Sequence, residues 1–175
     1  VEYDILILAD DIYGRLVYNG NTFTPISSLS DAIRKQTIVI NGVSKTYAMT
    51  GWRVGFAVGD PEIISGMAKI ISQTTSNLTA VSQYAAIEAL TGDQSSIEEM
   101  RQAFEERLNT IYPLLAEVPG FEVIKPQGAF YLFPNVKKAM EIKGYTNVND
   151  FTNAILEEAE VALVTGAGFG APENI

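Results

Sequence analysis

Three charged side chains, Asp10, Lys45 and Arg53, stand out in this sequence because each lies beside a short apolar run. The chain of 175 residues contains no cysteine and no histidine. Thiolate nucleophiles, iron–sulfur clusters, Ser-His-Asp triads and histidine metal sites are therefore excluded, and we expect no metal. Lysine, tyrosine, aspartate and glutamate remain for proton transfer, which makes the lysines the residues of greatest interest.

Lys45 follows the apolar run Thr37 to Ile40, in the string NGVSKTYAMTGWRVG. Tyr47, Met49 and Trp52 come shortly after it. A low-polarity environment favours the neutral amine, which is a nucleophile toward a carbonyl carbon. Most lysines are solvated surface residues, and this remains the alternative for Lys45.

Asp10, Asp11 and Tyr13 come where the first apolar run ends. Ligands of open α/β sheets bind beyond the carboxyl ends of the strands, so an acid at this point is well placed for a site. A turn or helix-cap aspartate is the alternative. Arg53 comes close after Gly51 and directly before another apolar run. Its guanidinium is placed to bind a phosphate or carboxylate through two hydrogen bonds, and a surface ion pair is the alternative.

A lysine, an aspartate and an arginine at the ends of neighbouring strands suit one cofactor, pyridoxal phosphate. Its aldehyde needs a lysine amine, its protonated pyridine nitrogen needs a carboxylate, and its phosphate needs a cation. The GxxxxGK[ST] pattern of a phosphate-binding P-loop does not surround Lys45. A phosphate must therefore be held by other means.

The elements that would position these side chains follow from the apolar pattern. Three short runs predict strands buried on both faces, namely Ile5 to Ala9, Thr37 to Ile40 and Val54 to Val58. Asp60 and Pro61 predict the start of a helix that extends to about Gln73, and Thr79 predicts the start of another that ends at Gly92. This alternation predicts an α/β protein.

The second half of the chain has a different pattern of predicted helices and strands. Ser95 and Glu98 predict a capping box at the start of a long helix, and Pro113 is expected to kink that helix or end it early. The elements expected after Gly120 are strands at 121–124, 129–133 and 161–164 and a helix at about 148–159. This half is therefore expected to be an α+β unit.

The string from Gly42 to Gly55 resembles the lysine-attachment signature of the class I and II pyridoxal-phosphate-dependent aminotransferases. ADDIYGRLVYNG resembles the upstream segment of the same family, and PQGAFYLFP and VTGAGFG resemble small-domain segments of the branch that contains the bacterial aspartate aminotransferases. The resemblance implies fold type I, an α/β architecture. Residues 1–95 would be the last part of a mainly parallel three-layer sheet domain that binds the cofactor, and residues 96–175 part of a truncated α+β small domain.

The resemblance also implies roles for four side chains. Lys45 would bind pyridoxal 5'-phosphate as a Schiff base and move the proton between the substrate α-carbon and the cofactor. Asp10 would pair with the pyridine nitrogen, Tyr13 would donate to the phenolic oxygen of the ring, and Arg53 would bind the phosphate. Some relatives carry a serine that donates to the phosphate at the position of Gly42.

The implied activity is the transfer of an amino group from an amino acid, with aspartate as the favoured donor, to a 2-oxo acid. The family implies a homodimer for the full-length protein. Two alternatives remain open. One is a different reaction on the same cofactor, such as an elimination of the C–S lyase type. The other is a catalytically incompetent fragment with only a structural or assembly role.

The net charge, the apolar runs and the ends of the chain restrict the partners and the location that we expect. The formal net charge of −9 disfavours nucleic acid and anionic membranes as partners. No apolar run approaches the ~20 residues of a membrane-spanning helix, and we expect a soluble, cytoplasmic protein. Because the chain starts without Met in an apolar run and stops in a loop, we expect a piece of a longer polypeptide. We expect the isolated 175 residues to be inactive.

Overall fold

The computed structural model describes residues 2–175, in which one sheet has the strand order β1, β2, β3. The strands are β1 (Ile7–Asp10), β2 (Thr37–Gly42) and β3 (Gly55–Val58). β1 and β2 are parallel, with Asp10 beside Ile40, whereas β3 is antiparallel to β2, with Gly55 beside Gly42. The three strands predicted for this region are confirmed, with small differences in their bounds.

The apolar side chains of β1 and of the segment before it are more exposed than the sequence suggests. Ile5, Leu6 and Leu8 expose 62%, 60% and 70% of their surface. The expectation that this strand is buried on both faces is therefore wrong for the described chain. Branched apolar residues favour the strand conformation locally, but burial depends on the layer that covers each face, which a local pattern does not encode.

Four helices accompany the sheet and the segment after it: α1 (Asp31–Lys35), α2 (Pro61–Thr74), α3 (Ala80–Thr91) and α4 (Ser95–Ala116). α2 begins where the sequence predicts, because the Asp60 carboxylate accepts a hydrogen bond from the Glu62 backbone N–H at 2.9 Å and Pro61 occupies the first turn. α3 ends at Gly92, as predicted.

The start of α4 differs from the predicted capping box. The backbone N–H of Ser95 donates to the carboxylate of Asp93 at 3.1 Å. The Glu98 carboxylate accepts hydrogen bonds from the side chains of Arg101 and Gln102. The capping box is therefore wrong, because a nearby carboxylate and a nearby guanidinium are better partners than Ser95 and Glu98 are for each other.

The chain forms two compact units, of which the first ends at Ala103 and the second comprises Phe104–Ile175. The boundary falls within α4, so the assignment of residues 1–95 and 96–175 to a large and a small domain stays a prediction. Pro113 lies inside α4, which continues to Ala116. The helix thus does not end at the proline. Within residues 2–175, no helix combines the length and the apolar character needed to cross a bilayer.

The second unit contains α5 (Lys137–Lys143) and α6 (Val148–Ala159), the latter as predicted. Its core consists of Val136, Ala139, Met140, Val148, Phe151 and Ile175. The strands expected after Gly120 are wrong for the described residues, which form isolated bridges instead, among them those from Asn135 to Glu122 and to Asn174. An extended segment becomes a strand only when a neighbour pairs with it, and the apolar pattern does not identify that neighbour.

Candidate active site

The candidate site lies in the first unit, where the strand topology brings distant residues together. The parallel strands β1 and β2 end at the same edge of the sheet, and the antiparallel strand β3 begins at that edge. Asp10 is the last residue of β1, and Arg53 lies shortly before the first residue of β3. A carboxylate and a guanidinium that are far apart in the sequence therefore share one edge of the sheet.

A cavity of about 240 Å³ opens at this edge. The residues that line it come from the ends of all three strands and are Asp10, Ile12, Ile40, Asn41, Gly42, Ser44, Arg53, Val54 and Gly55. The cavity therefore has an acidic side chain from β1 and a basic side chain from the segment before β3. Two of the four site residues expected from the sequence, Asp10 and Arg53, lie on this one cavity.

Lys45 and Tyr13 contact each other beside the cavity. The Nζ atom of Lys45 is 5.8 Å from the centroid of the Tyr13 ring, a separation at which an ammonium is attracted to an aromatic face. Ser44 and Ile12, which directly precede these two residues in the chain, both line the cavity. The second pair of expected site residues therefore contact each other and directly follow two residues of the cavity in the chain.

The two adjacent aspartates at the end of β1 have different environments. The Oδ1 atom of Asp10, an exposed residue, accepts a hydrogen bond from the backbone N–H of Ile12 at 3.3 Å. This contact is the aspartate turn that the sequence left open as an alternative, and it orients the carboxylate at the carboxyl end of the strand. Burial raises the pKa of the Asp11 carboxyl, and the negative charge of Asp10 raises it further.

Arg53 has a left-handed backbone, with φ 56° and ψ 46°, at the end of the 3₁₀ turn Thr50–Trp52. This conformation is uncommon for residues other than glycine, and such strain is concentrated at functional sites. It redirects the chain from the loop into β3. The Nη1 atom of Arg53 donates to the Thr50 carbonyl oxygen at 2.9 Å, which orients the exposed guanidinium.

The loop that carries Lys45 rests on a small apolar core. Its buried residues are Val43, Val54 and Ala86, and the partly buried Tyr47, Met49 and Ala89 pack against them. The sequence suggested that Tyr47, Met49 and Trp52 lower the polarity around the lysine amine. The structure instead places Tyr47 and Met49 against the core beneath the loop, while Trp52 is 42% exposed.

Two polar residues of the cavity, Asn41 and Ser44, were not identified from the sequence. Both lie in the string around Lys45, next to or near Gly42. A Cβ atom at Gly42 would lie 2.7 Å from the Val54 carbonyl oxygen, so the close approach of β2 and β3 requires glycine there. A serine at position 42 would bring its Cβ atom into the same close contact, and Ser44 is the hydroxyl side chain on the cavity.

Residues 1–175 match the family described as aminotransferase class I and II. The chain belongs to the class I and II aminotransferases. The fold type I implied by the sequence is confirmed, because the chain is similar in structure to aspartate aminotransferases.

The chain is similar to individual transaminases in sequence and in structure. The chain is 77% identical over its full length to an asparagine–oxo-acid transaminase of Streptococcus mutans and 53% identical to an aspartate aminotransferase of Bacillus subtilis, covering 44% of each. Among solved structures, the aspartate aminotransferase from Rhizobium meliloti has a TM-score of 0.89 and 36% identity, over 97% of this chain and 44% of that one. The chain therefore spans about 44% of the length of the curated relatives it matches.

Proposed function

We propose that the protein containing this chain is a pyridoxal-phosphate-dependent aminotransferase that moves an amino group from an amino acid to a 2-oxo acid. Family membership supports the reaction class. The observation that carries the proposal for this chain is the cavity shared by Asp10 and Arg53, which Ser44, the residue directly before Lys45, also lines.

The residues around the cavity fit pyridoxal phosphate by their chemistry. A carboxylate and a guanidinium on one cavity match a protonated ring nitrogen and a phosphate, which carry opposite charges. Asp10 would hold the ring nitrogen, and Arg53 the phosphate. Lys45 would hold the aldehyde carbon, and the hydroxyl of Tyr13 the phenolic oxygen of the ring.

The side chains of this chain would have separate roles in the reaction. The bound cofactor withdraws electrons from the α-carbon of the amino acid. The negative charge of Asp10 keeps the proton on the ring nitrogen. The amine of Lys45 would accept the proton from the substrate α-carbon and deliver it to the cofactor, and in the second half-reaction it would carry a proton from the cofactor to the α-carbon derived from the 2-oxo acid. Arg53 has five N–H donors, so it can bind an anion bidentately while one donor stays on Thr50.

We propose aspartate as the amino donor, supported by relatives that are 53% and 54% identical and are named aspartate aminotransferases. Asparagine is the second candidate, because the relative with 77% identity is named an asparagine–oxo-acid transaminase. The ratio of kcat/KM for the two donors in the full-length protein decides between them. A purely structural role is not favoured at these identities. An elimination would instead release ammonia and the side-chain leaving group, and it would not need a 2-oxo acid as amino acceptor.

A homodimer is also proposed for the full-length protein. Exposed apolar side chains on α2 and α3, including Ile70, Val81 and Tyr84, support an additional interface. A cytoplasmic location and inactivity of the isolated 175 residues stay predictions.

The proposal is tested by amino transfer in the full-length protein with Lys45→Ala. We expect kcat to fall by roughly 100- to 10,000-fold, because the variant lacks the amine that moves the proton. Lys35→Ala is the matched control, since Lys35 is an exposed lysine in the last turn of α1, and it should retain wild-type activity. Equal activity of the two variants would exclude the proposed role of Lys45.

A further inference from the structure

Gln94 lies between α3 and α4, and all polar atoms of its side-chain amide have partners. Its Nε2 atom donates to the carbonyl oxygens of Ala89 and Gly92, both at 2.9 Å. Its Oε1 atom accepts a hydrogen bond from the Tyr47 hydroxyl at 3.1 Å. The opposite orientation of the amide would place its oxygen against two carbonyl oxygens, so the contacts determine which way it faces.

Tyr47 is part of the turn that carries Lys45. The backbone N–H of Tyr47 donates to the Val43 carbonyl oxygen at 3.2 Å, and the N–H of Ala48 donates to the Lys45 carbonyl oxygen at 3.4 Å. Val43 is fully buried, and its own N–H donates to the carbonyl oxygen of Val54 at 3.3 Å. The turn is thus fixed to β3 before Lys45 and to Gln94 after it.

Apolar packing alone does not explain the hydrogen bond between Tyr47 and Gln94. The ring of Tyr47 packs on the core of Val43, Val54 and Ala86, and a phenylalanine ring would fill the same space. The hydroxyl adds one hydrogen bond to the side-chain amide of Gln94. The same amide also donates hydrogen bonds to backbone carbonyl groups at the end of α3. A hydrogen bond to a partly buried, oriented partner restrains the segment that carries the donor.

We propose that Gln94 is a positioning residue for Lys45, which acts through Tyr47 to hold the turn of residues 43–48 in one conformation. The proposal rests on the function proposed for Lys45. Gln94 itself does not contact the Lys45 amine in this arrangement. Its effect is on how often the amine is held beside Tyr13, where the Nζ atom lies 5.8 Å from the ring centroid.

The test uses two variants of the full-length protein, Gln94→Leu and Tyr47→Phe. Tyr47→Phe removes only the hydroxyl and keeps the ring, so it should fold even if Gln94→Leu does not. We expect amide hydrogen exchange of residues 44–48 to become on the order of fivefold faster in both variants, as the loss of one hydrogen bond predicts. kcat should fall by a similar factor with little change in KM.

The double variant shows whether the two residues act together. If they do, its exchange rates and kcat should be no worse than those of Gln94→Leu alone. Gln83→Leu is the matched control, because the Gln83 side chain also donates to a backbone carbonyl, that of Leu78 at 2.8 Å, at the opposite end of α3. This control should leave exchange of residues 44–48 and kcat at wild-type values.

The proposal is wrong if Gln94→Leu and Tyr47→Phe leave the exchange of residues 44–48 unchanged. A lower melting temperature without that change would mean that Gln94 only closes the end of α3. Failure of the proposed function has a different signature: a Lys45→Ala variant with wild-type amino transfer. The exchange rates would then still decide whether Gln94 holds the turn.

Discussion

At the scale of single residues, Asp10 and Asp11 are adjacent aspartates with different environments. Asp10 ends β1 and lines the cavity, whereas Asp11 is partly buried and its pKa is raised by that burial and by the charge of Asp10. The sequence could identify the position, since both acids follow an apolar run. The apolar pattern could not decide between them, because the choice depends on which side of the chain faces the cavity, whereas the family resemblance implied Asp10.

We predict that Asp10→Asn lowers kcat of the full-length protein by roughly 100-fold or more, with a small change in KM. Asparagine has nearly the same shape, but it lacks the charge that keeps a ring nitrogen protonated. Steady-state kinetics with saturating cofactor would measure the effect. Asp11→Asn is the matched control and should lose far less activity, and equal losses in the two variants would contradict the role given to Asp10.

At the scale of elements, the fold was predictable where the determinants are local. The runs around β1, β2 and β3 predict strands through their branched residues, and Asp60 with Pro61 predicts the start of α2. Partner choice was not predictable. Asp93 displaces the capping box expected at Ser95, because two nearby carboxylates, those of Asp93 and Glu98, can accept from the same N–H and the sequence does not rank them.

The close contact of β2 with β3 gives a prediction about packing. We expect Gly42→Ala to destabilise the protein by roughly 1–3 kcal/mol, because the new methyl group would lie 2.7 Å from the Val54 carbonyl oxygen. Gly51→Ala is the control, since a Cβ atom at Gly51 would have no neighbour within 4 Å among the described residues. Denaturant unfolding of the two variants measures the difference, and equal midpoints would contradict the packing argument.

At the scale of the whole molecule, the described residues supply one side of a site and leave apolar surface uncovered. The exposed side chains of Leu6 and Leu8 indicate surface that a further layer would cover. The relatives are more than twice as long as this chain, which covers 44% of their length. The sequence could identify the family because four strings resemble it, of which the string around Lys45 contributes Gly42, Ser44 and Arg53 to the cavity.

The central claim is that the Lys45 amine holds the cofactor, and it can be tested directly. The full-length protein is incubated with pyridoxal phosphate, reduced with borohydride to make the bond permanent, digested and analysed by peptide mass spectrometry. We expect the mass of the cofactor on the peptide that contains Lys45 and not on the peptide that contains Lys35. An unmodified Lys45 in protein that has bound the cofactor would contradict it.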